Sequence, residues 1–333
     1  MKIAVFGYYN ALNAGDDRIQ DCITKLLKGH TVVFLPHFLP PPKEYIQSFD
    51  WILIGGGGLV FERVGIWVKP KQWIKKCKAK IGVFGLGVNH VSSILLEEVY
   101  TIINHSEFFF VRDEQSKILL NNHPKINVQP DPTWCFPFQF QTNLIEENKS
   151  IALNLLPCHW KQFEPNAWVK SLSEFEVQPF PFHFGTDRDG DLLESYYSNS
   201  TPKEFSLEPL IKSQIVVACR FHAIIFAMQL GKVFIAINYD DKVKRLLTDA
   251  DLLECCLETT EHNLLKEKIE FVKDNKAILR QKINKFAQEQ INHAENLKEE
   301  IQRHLLLTPR KEKTRKSASF LKNAAKKLQL MKT

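Results

Sequence analysis

Lys2-Ile3-Ala4-Val5-Phe6-Gly7-Tyr8-Tyr9-Asn10-Ala11-Leu12-Asn13-Ala14-Gly15-Asp16-Asp17 opens the chain, and its order of residue types decides how the rest is read. Ile3 to Phe6 is an unbroken apolar run, which a strand buried on both faces carries. A loop follows between Gly7 and Gly15, where Gly15 permits tight backbone geometry. Asp16 then stands where a helix cap belongs, ahead of helical residues to Lys28. Strand, glycine-bounded loop and helix make the repeating unit of a parallel sheet covered by helices.

The unit recurs downstream. Strands are expected at Thr31–Leu35, Trp51–Ile54, Ile81–Phe84, Glu107–Val111 and Ile126–Val128, with helices at Val68–Cys77, Ser93–Asn104 and Glu114–Asn121. A polar, turn-rich stretch, Gln139–Ser150, reads as a domain boundary. The pattern restarts with strands Ile151–Leu155, Val177–Phe182, Gln214–Ala218 and Val233–Asn238. Its helices are expected at Ala167–Glu174, Leu207–Lys212, Phe221–Leu230 and Lys242–Ala250. Residues 261–306 lack glycine and proline and space Leu264, Ile269, Val272, Ile278, Ile283, Phe286 and Ile291 with rough helical period. The expected architecture is α/β: two doubly wound domains across a cleft, residues 1–140 and 141–260, closed by a long helical segment at 261–306 and followed by a basic tail at 307–333. Ligands of such sheets sit outside the carboxyl ends of the strands.

Composition narrows the function classes. At 333 residues the chain has room for two cores, and 44% hydrophobic with 25% charged residues is ordinary for a folded protein. The 24 Phe decide nothing about function. No apolar stretch of membrane-spanning length occurs, and no secretory leader pattern precedes the first strand. The seven scattered cysteines include no C-x-x-C pair, so neither a thiolate metal site nor a disulfide framework is expected. These features suit the cytoplasm. Residues 309–333 hold nine Lys or Arg and one Glu, a net +8, so the remainder of the chain carries −2 of the formal +6. A body of that charge is not expected to bind nucleic acid across a cationic face.

Five loops at predicted strand ends could carry chemistry. Around Asn13, Asp16 and Asp17 neither a Walker nor a dinucleotide spacing occurs, and two acids there would repel phosphate. Gly55-Gly56-Gly57-Gly58 leaves backbone N–H groups open to a ligand, with a flexible turn as the plain alternative. Arg112, ending a strand, offers a planar fork to carboxylate or phosphate, or equally an ion pair to Asp113 or Asp131. In Val216-Val217-Ala218-Cys219-Arg220-Phe221-His222-Ala223 a buried strand yields a fixed cation and an imidazole at a helix start, the composition of an anion site. Tyr239-Asp240-Asp241-Lys242 ends the next strand and should lie beside that junction.

In this order, Asn13-x-Gly15-Asp16, Gly55–Gly58, Val111-Arg112-Asp113 with Ser116, Asp131-Pro132, Arg220-x-His222-Ala223 and Tyr239-Asp240-x-Lys242-Val243 resemble the polysaccharide pyruvyl transferase family, over roughly residues 1–255. Where the family pattern has Glu after the Gly-Asp pair, this chain has Asp17. The resemblance implies two Rossmann-like domains facing across a cleft, a GT-B-like fold, with the N-terminal domain on the acceptor side and the C-terminal one on the donor side. It also implies transfer of pyruvate from phosphoenolpyruvate to sugar hydroxyls of a cell-surface polysaccharide or its lipid-linked precursor, forming a ketal and releasing phosphate. His222 is the expected general acid beside Arg220. Arg112, Arg220, Gly56, Gly57 and Lys242 would hold the donor, and Asn13, Asp16 and Asp17 the acceptor. No metal and no cofactor are expected. Two rivals share the fold: a glycosyltransferase using a nucleotide-sugar, and a non-catalytic glycan-binding protein. In the tail, Phe320, Leu321, Ala324 and Leu328 share a helical face ringed by Lys322, Lys326 and Lys327, a pattern fit for peripheral contact with an anionic membrane or for a solvated tail.

Overall fold

The structure, a computed structural model, describes residues 1–38, 46–61, 64–138, 150–157 and 163–306. The apolar runs form two parallel sheets. β1 (Lys2–Gly7), β2 (Thr31–Pro36), β3 (Trp51–Gly57), β4 (Lys80–Leu86), β5 (Ser106–Val111) and β6 (Ile126–Val128) lie in the order β2-β1-β3-β4-β5-β6. β7 (Ser150–Asn154), β8 (Glu176–Pro179), β9 (Ile215–Ala218), β10 (Phe234–Asn238) and β11 (Cys256–Glu258) lie in the order β11-β10-β9-β7-β8. Counted from its own first strand, the second sheet repeats the arrangement of the first. In each, the strand order reverses once, between β1 and β3 and between β7 and β9. A doubly wound sheet opens its ligand crevice at that reversal.

Burial follows position. Every residue of β3, β7, β9 and β10 is buried between helix layers, whereas the edge strand β2 is partly exposed. In register, Val5 sits between Phe34 and Leu53, and Leu153 sits opposite Val217. The helices are α1 (Ala14–Leu26), α2 (Pro70–Ile74), α3 (Ser93–His105), α4 (Glu114–Leu119), α5 (Pro165–Ser171), α6 (Asp189–Tyr196), α7 (Glu208–Lys212), α8 (Phe221–Gln229), α9 (Asp241–Asp249), α10 (Leu265–Asp274) and α11 (Lys276–Leu306).

Several boundaries differ from the sequence reading, each for a physical reason. α1 begins before Asp16: Asn13 is its cap, accepting from the Gly15 N–H at 3.2 Å, and Asp16 falls in the first turn. α6 went unforeseen because its opening, Asp189-Gly190-Asp191, reads as a turn and its apolar content is slight. β11 is three residues long, too short for any period to register. The C-terminal segment divides at Asn275, whose amide side chain donates to the Phe271 carbonyl at 2.9 Å and competes with the helix ladder.

Residues Met1–Glu299 form one folded unit. Within it, Ala14 N donates to Phe182 O at 2.7 Å and Phe184 N to Leu12 O at 3.0 Å, joining backbone of the two halves, and the Arg245 side chain adds Nη1 to Val88 O at 2.8 Å. α11 touches both sides: Phe286 meets Trp134 edge-on at 6.3 Å, and Lys282 pairs with Asp251 at 3.0 Å and Glu254 at 2.8 Å. The second unit starts at Glu300, whose carboxylate pairs with Arg303 one turn on. Among the described residues no helix is long and apolar enough to cross a membrane. Of the expected boundary stretch Gln139–Ser150, residues 139–149 lie outside the described residues, as does the basic tail at 307–333 with its membrane-facing pattern, while Ser150 opens β7.

Candidate functional site

The two strand-order reversals converge on one cavity of about 270 Å³. From the first sheet come Tyr8, Asn13 and Asp16 after β1, Gly57 and Gly58 at and after β3, and Arg112 after β5. From the second come Arg220 and His222 after β9, and Tyr239 and Lys242 after β10. The reversal explains the convergence: at that point adjacent strands send their loops to opposite faces and leave a gap.

Arg220 is held from behind. Its Nε and Nη2 donate to Asp189 at 3.1 and 3.0 Å, a bidentate pair, while its backbone N–H donates to Asn154 Oδ1 at 2.9 Å. Asp189 is fully buried and also accepts from Phe182 N at 2.8 Å, His183 N at 2.9 Å and Asn154 Nδ2 at 3.1 Å. Burial opposes the charge on Arg220, and Asp189 more than restores it. Asn154 ends β7, so both strands flanking the reversal hold this cation.

Arg112 is anchored more loosely. Its guanidinium lies 4.2 Å above the Phe221 ring, with Asp113 at 3.6 Å and Asp131 at 3.9 Å. Both ion pairs weighed from the sequence are therefore present, yet at separations longer than a hydrogen bond. Its buried Nε and Nη2 donate no hydrogen bond, a costly state that an anion in the cavity would relieve.

His222 stands in the first turn of α8 with Nε2 3.4 Å from Asp131 Oδ2. Asp131 is buried, and its other oxygen accepts from Thr133 N and Oγ1 at 3.0 and 2.8 Å. Burial by itself raises its pKa, but His222, Arg112 and the Thr133 amide outweigh burial and hold the carboxyl below its ordinary range. The far side of the imidazole packs on Gly15. A Cβ there would stand 2.2 Å from His222 Nδ1 and 2.6 Å from its Cγ, and Gly15 has no positive φ, so close approach rather than turn geometry requires this glycine. Gly87 has the same relation to the guanidinium of Arg112.

Asp16 lies across from these cations. Burial pushes its pKa up to about 6, against the pull of His222, Arg220 and Lys242. Lys242 lies 3.9 Å from Asp240 and 4.9 Å over the Tyr239 ring. Two expected residues stand elsewhere. Asp17 lines a separate shallow depression with Asn10, Leu12 and Gln20. Gly56, at φ +72°, is packed on Ile19 inside β3, outside the cavity lining, which takes Gly57 and Gly58 instead. Sequence reasoning did not select Asp189, Asn154, Asn89, Tyr8, His37 or Phe61. Only Asn154 carried a local signal, a polar residue closing an apolar strand. Among the described residues no group of three or more His, Cys, Asp or Glu is placed to hold a metal.

Comparison with known proteins agrees with this layout. A family model for polysaccharide pyruvyl transferases matches residues 13–241, a span containing all the polar cavity residues above except Tyr8 and Lys242. No curated protein matches in sequence. A glycosyltransferase of Rickettsia africae superposes with a TM-score of 0.57 at 14% identity, over 92% of this chain and 99% of its own. MnaA of S. aureus, solved with UDP, gives 0.55 at 11%, over 94% and 99%. The UDP-GlcNAc 2-epimerase of Neisseria meningitidis gives 0.51 at 13%, over 91% and 100%. These similarities establish a GT-B-like fold.

Proposed function

This chain belongs to the polysaccharide pyruvyl transferase family, and we propose that it moves pyruvate from phosphoenolpyruvate to the hydroxyls of a sugar or lipid-linked glycan. The observation that carries this reading is a cavity in which Arg112, Arg220, His222 and Lys242 converge opposite an acid of near-neutral pKa, Asp16. Phosphoenolpyruvate is a compact polyanion and suits such a cluster. At about 270 Å³ the cavity falls just under the range that holds drug-sized ligands, which favours this donor over a nucleotide-sugar.

Arg220 and Arg112 hold the phosphate and carboxylate, with Lys242 beside them. His222, whose Nε2 lies 3.4 Å from Asp131, protonates C3 of the donor as a sugar hydroxyl adds to C2. Asp16 in its ionised form accepts the hydroxyl proton. A second hydroxyl then displaces phosphate from C2 and closes the ketal. Of the two protons released by the hydroxyls, one restores the imidazolium and the other leaves with phosphate or solvent. In this scheme the N-terminal half serves the acceptor and the C-terminal half the donor. The reaction takes place in the cytoplasm, where residues 309–333 bring the enzyme to anionic membrane carrying lipid-linked glycan.

Phosphate release from phosphoenolpyruvate across a set of candidate acceptors tests the activity. Substituting His222→Ala should leave the circular dichroism spectrum unchanged and cut turnover by on the order of 100-fold or more. Full turnover in the folded variant would remove His222 from the chemistry. Protection from thermal unfolding by nucleotide-sugars, with none by phosphoenolpyruvate, would transfer the site to glycosyl transfer.

A further inference from the structure

Besides the cations, the cavity is lined by Tyr8, His37 and Phe61 with Leu59, from the carboxyl ends of β1, β2 and β3. His37 is central to this group: the Tyr8 ring lies 5.2 Å away at 78° and the Phe61 ring 6.2 Å away at 64°, both edge to face. Burial lowers the pKa of His37 from its ordinary 6.5, which favours the uncharged imidazole. Phe61 is 38% exposed, at odds with a purely core role.

An uncharged wall does nothing for a polyanion. It suits a ligand with apolar C–H faces and hydroxyl edges, provided that polar groups border the rings. Asn13, Asp16 and Asn89 line the same cavity. Asn89 Nδ2 donates to Asp240 at 3.3 Å, while its buried Oδ1 accepts nothing, leaving an acceptor for a hydroxyl.

We propose that Tyr8, His37 and Phe61 form the subsite for a neutral pyranose ring of the acceptor, with the apolar face of the sugar on the rings and its hydroxyls on Asp16 and Asn89. This assignment rests on the reading that the cations of the same cavity hold phosphoenolpyruvate. It adds a charge rule: the sugar seated at this wall is neutral, because a uronate would lose its hydration without gaining a cation.

Saturation-transfer NMR tests it on the full chain, with the methyl glycosides of galactose, glucose, N-acetylmannosamine and glucuronic acid as probes. Thermal melts with phosphoenolpyruvate and with inorganic phosphate run in parallel. The expected result is saturation of ring C–H protons for at least one neutral glycoside, weakened about tenfold by Phe61→Ala and by His37→Ala. His37→Phe, which keeps the ring, should retain binding, and all three variants should keep the wild-type phosphate shift. Glycoside binding unchanged in Phe61→Ala and His37→Ala, tighter binding of the glucuronide, or no glycoside binding by the wild type would overturn the assignment. Loss of the phosphoenolpyruvate shift alone, with the glycoside pattern intact, would sink the donor reading and leave the ring wall standing.

Discussion

Single atoms set the working geometry of this cavity. Gly15 shows it most directly, since any side chain there would take the space of the His222 imidazole. Gly15→Ala should therefore lower turnover by about 100-fold, as loss of the general acid would, with secondary structure unchanged by circular dichroism. Asp16 supplies a pH signature. Its pKa of about 6 means that the ionised base is lost as pH falls through that value, so turnover should drop below about pH 6. The stability effect has the opposite direction. The folded protein binds this proton more tightly than the unfolded chain, so the buried charge costs stability above pH 6, by up to about 3 kcal/mol, and the cost fades toward pH 4. Thermal denaturation of Asp16→Asn should show a higher Tm than wild type at pH 8 and a closing gap on acidification. An equal gap at both pH values would contradict the buried-carboxylate assignment. Neither effect is written in the local sequence, where Asp16 reads as a helix cap and Gly15 as a turn.

Elements bring these atoms together, and Asp189 joins three of them. From the start of α6 it holds Arg220 after β9, Asn154 at the end of β7, and the backbone of Phe182 and His183, which in turn meets the loop before α1. In Asp189→Asn one buried acceptor becomes a donor facing N–H groups. The change should destabilise the protein by about 3–5 kcal/mol in urea unfolding, and the donor-induced thermal shift should be lost. A variant of wild-type stability would show that Asp189 does not organise the loop. Strands and most helices were legible beforehand because each carries its own apolar run or period. α6 was not, because its Asp189-Gly190-Asp191 opening reads as a turn and its apolar content is slight.

At the scale of the whole molecule, α11 holds the two sheets in one unit through Phe286 on Trp134 and Lys282 on the 251–254 loop. Phe286→Ala should cost about 3–5 kcal/mol and speed hydrogen exchange around Trp134 and Cys135. Exchange confined to α11 itself would show that the helix merely covers the surface. The sequence alone determined the two parallel sheets and the strand-end loops that bear chemistry, because hydrophobic period and turn composition are local properties of the chain. It also identified Arg112, Arg220, His222, Lys242, Asn13 and Asp16, all of which line one cavity. The tertiary structure alone decided that Asp17 and Gly56 stand outside that lining, that Gly15 makes room for an imidazole, and that rings from three strand ends form a wall. Which side of a helix or strand meets the gap depends on packing between residues distant in sequence, and no local pattern encodes it.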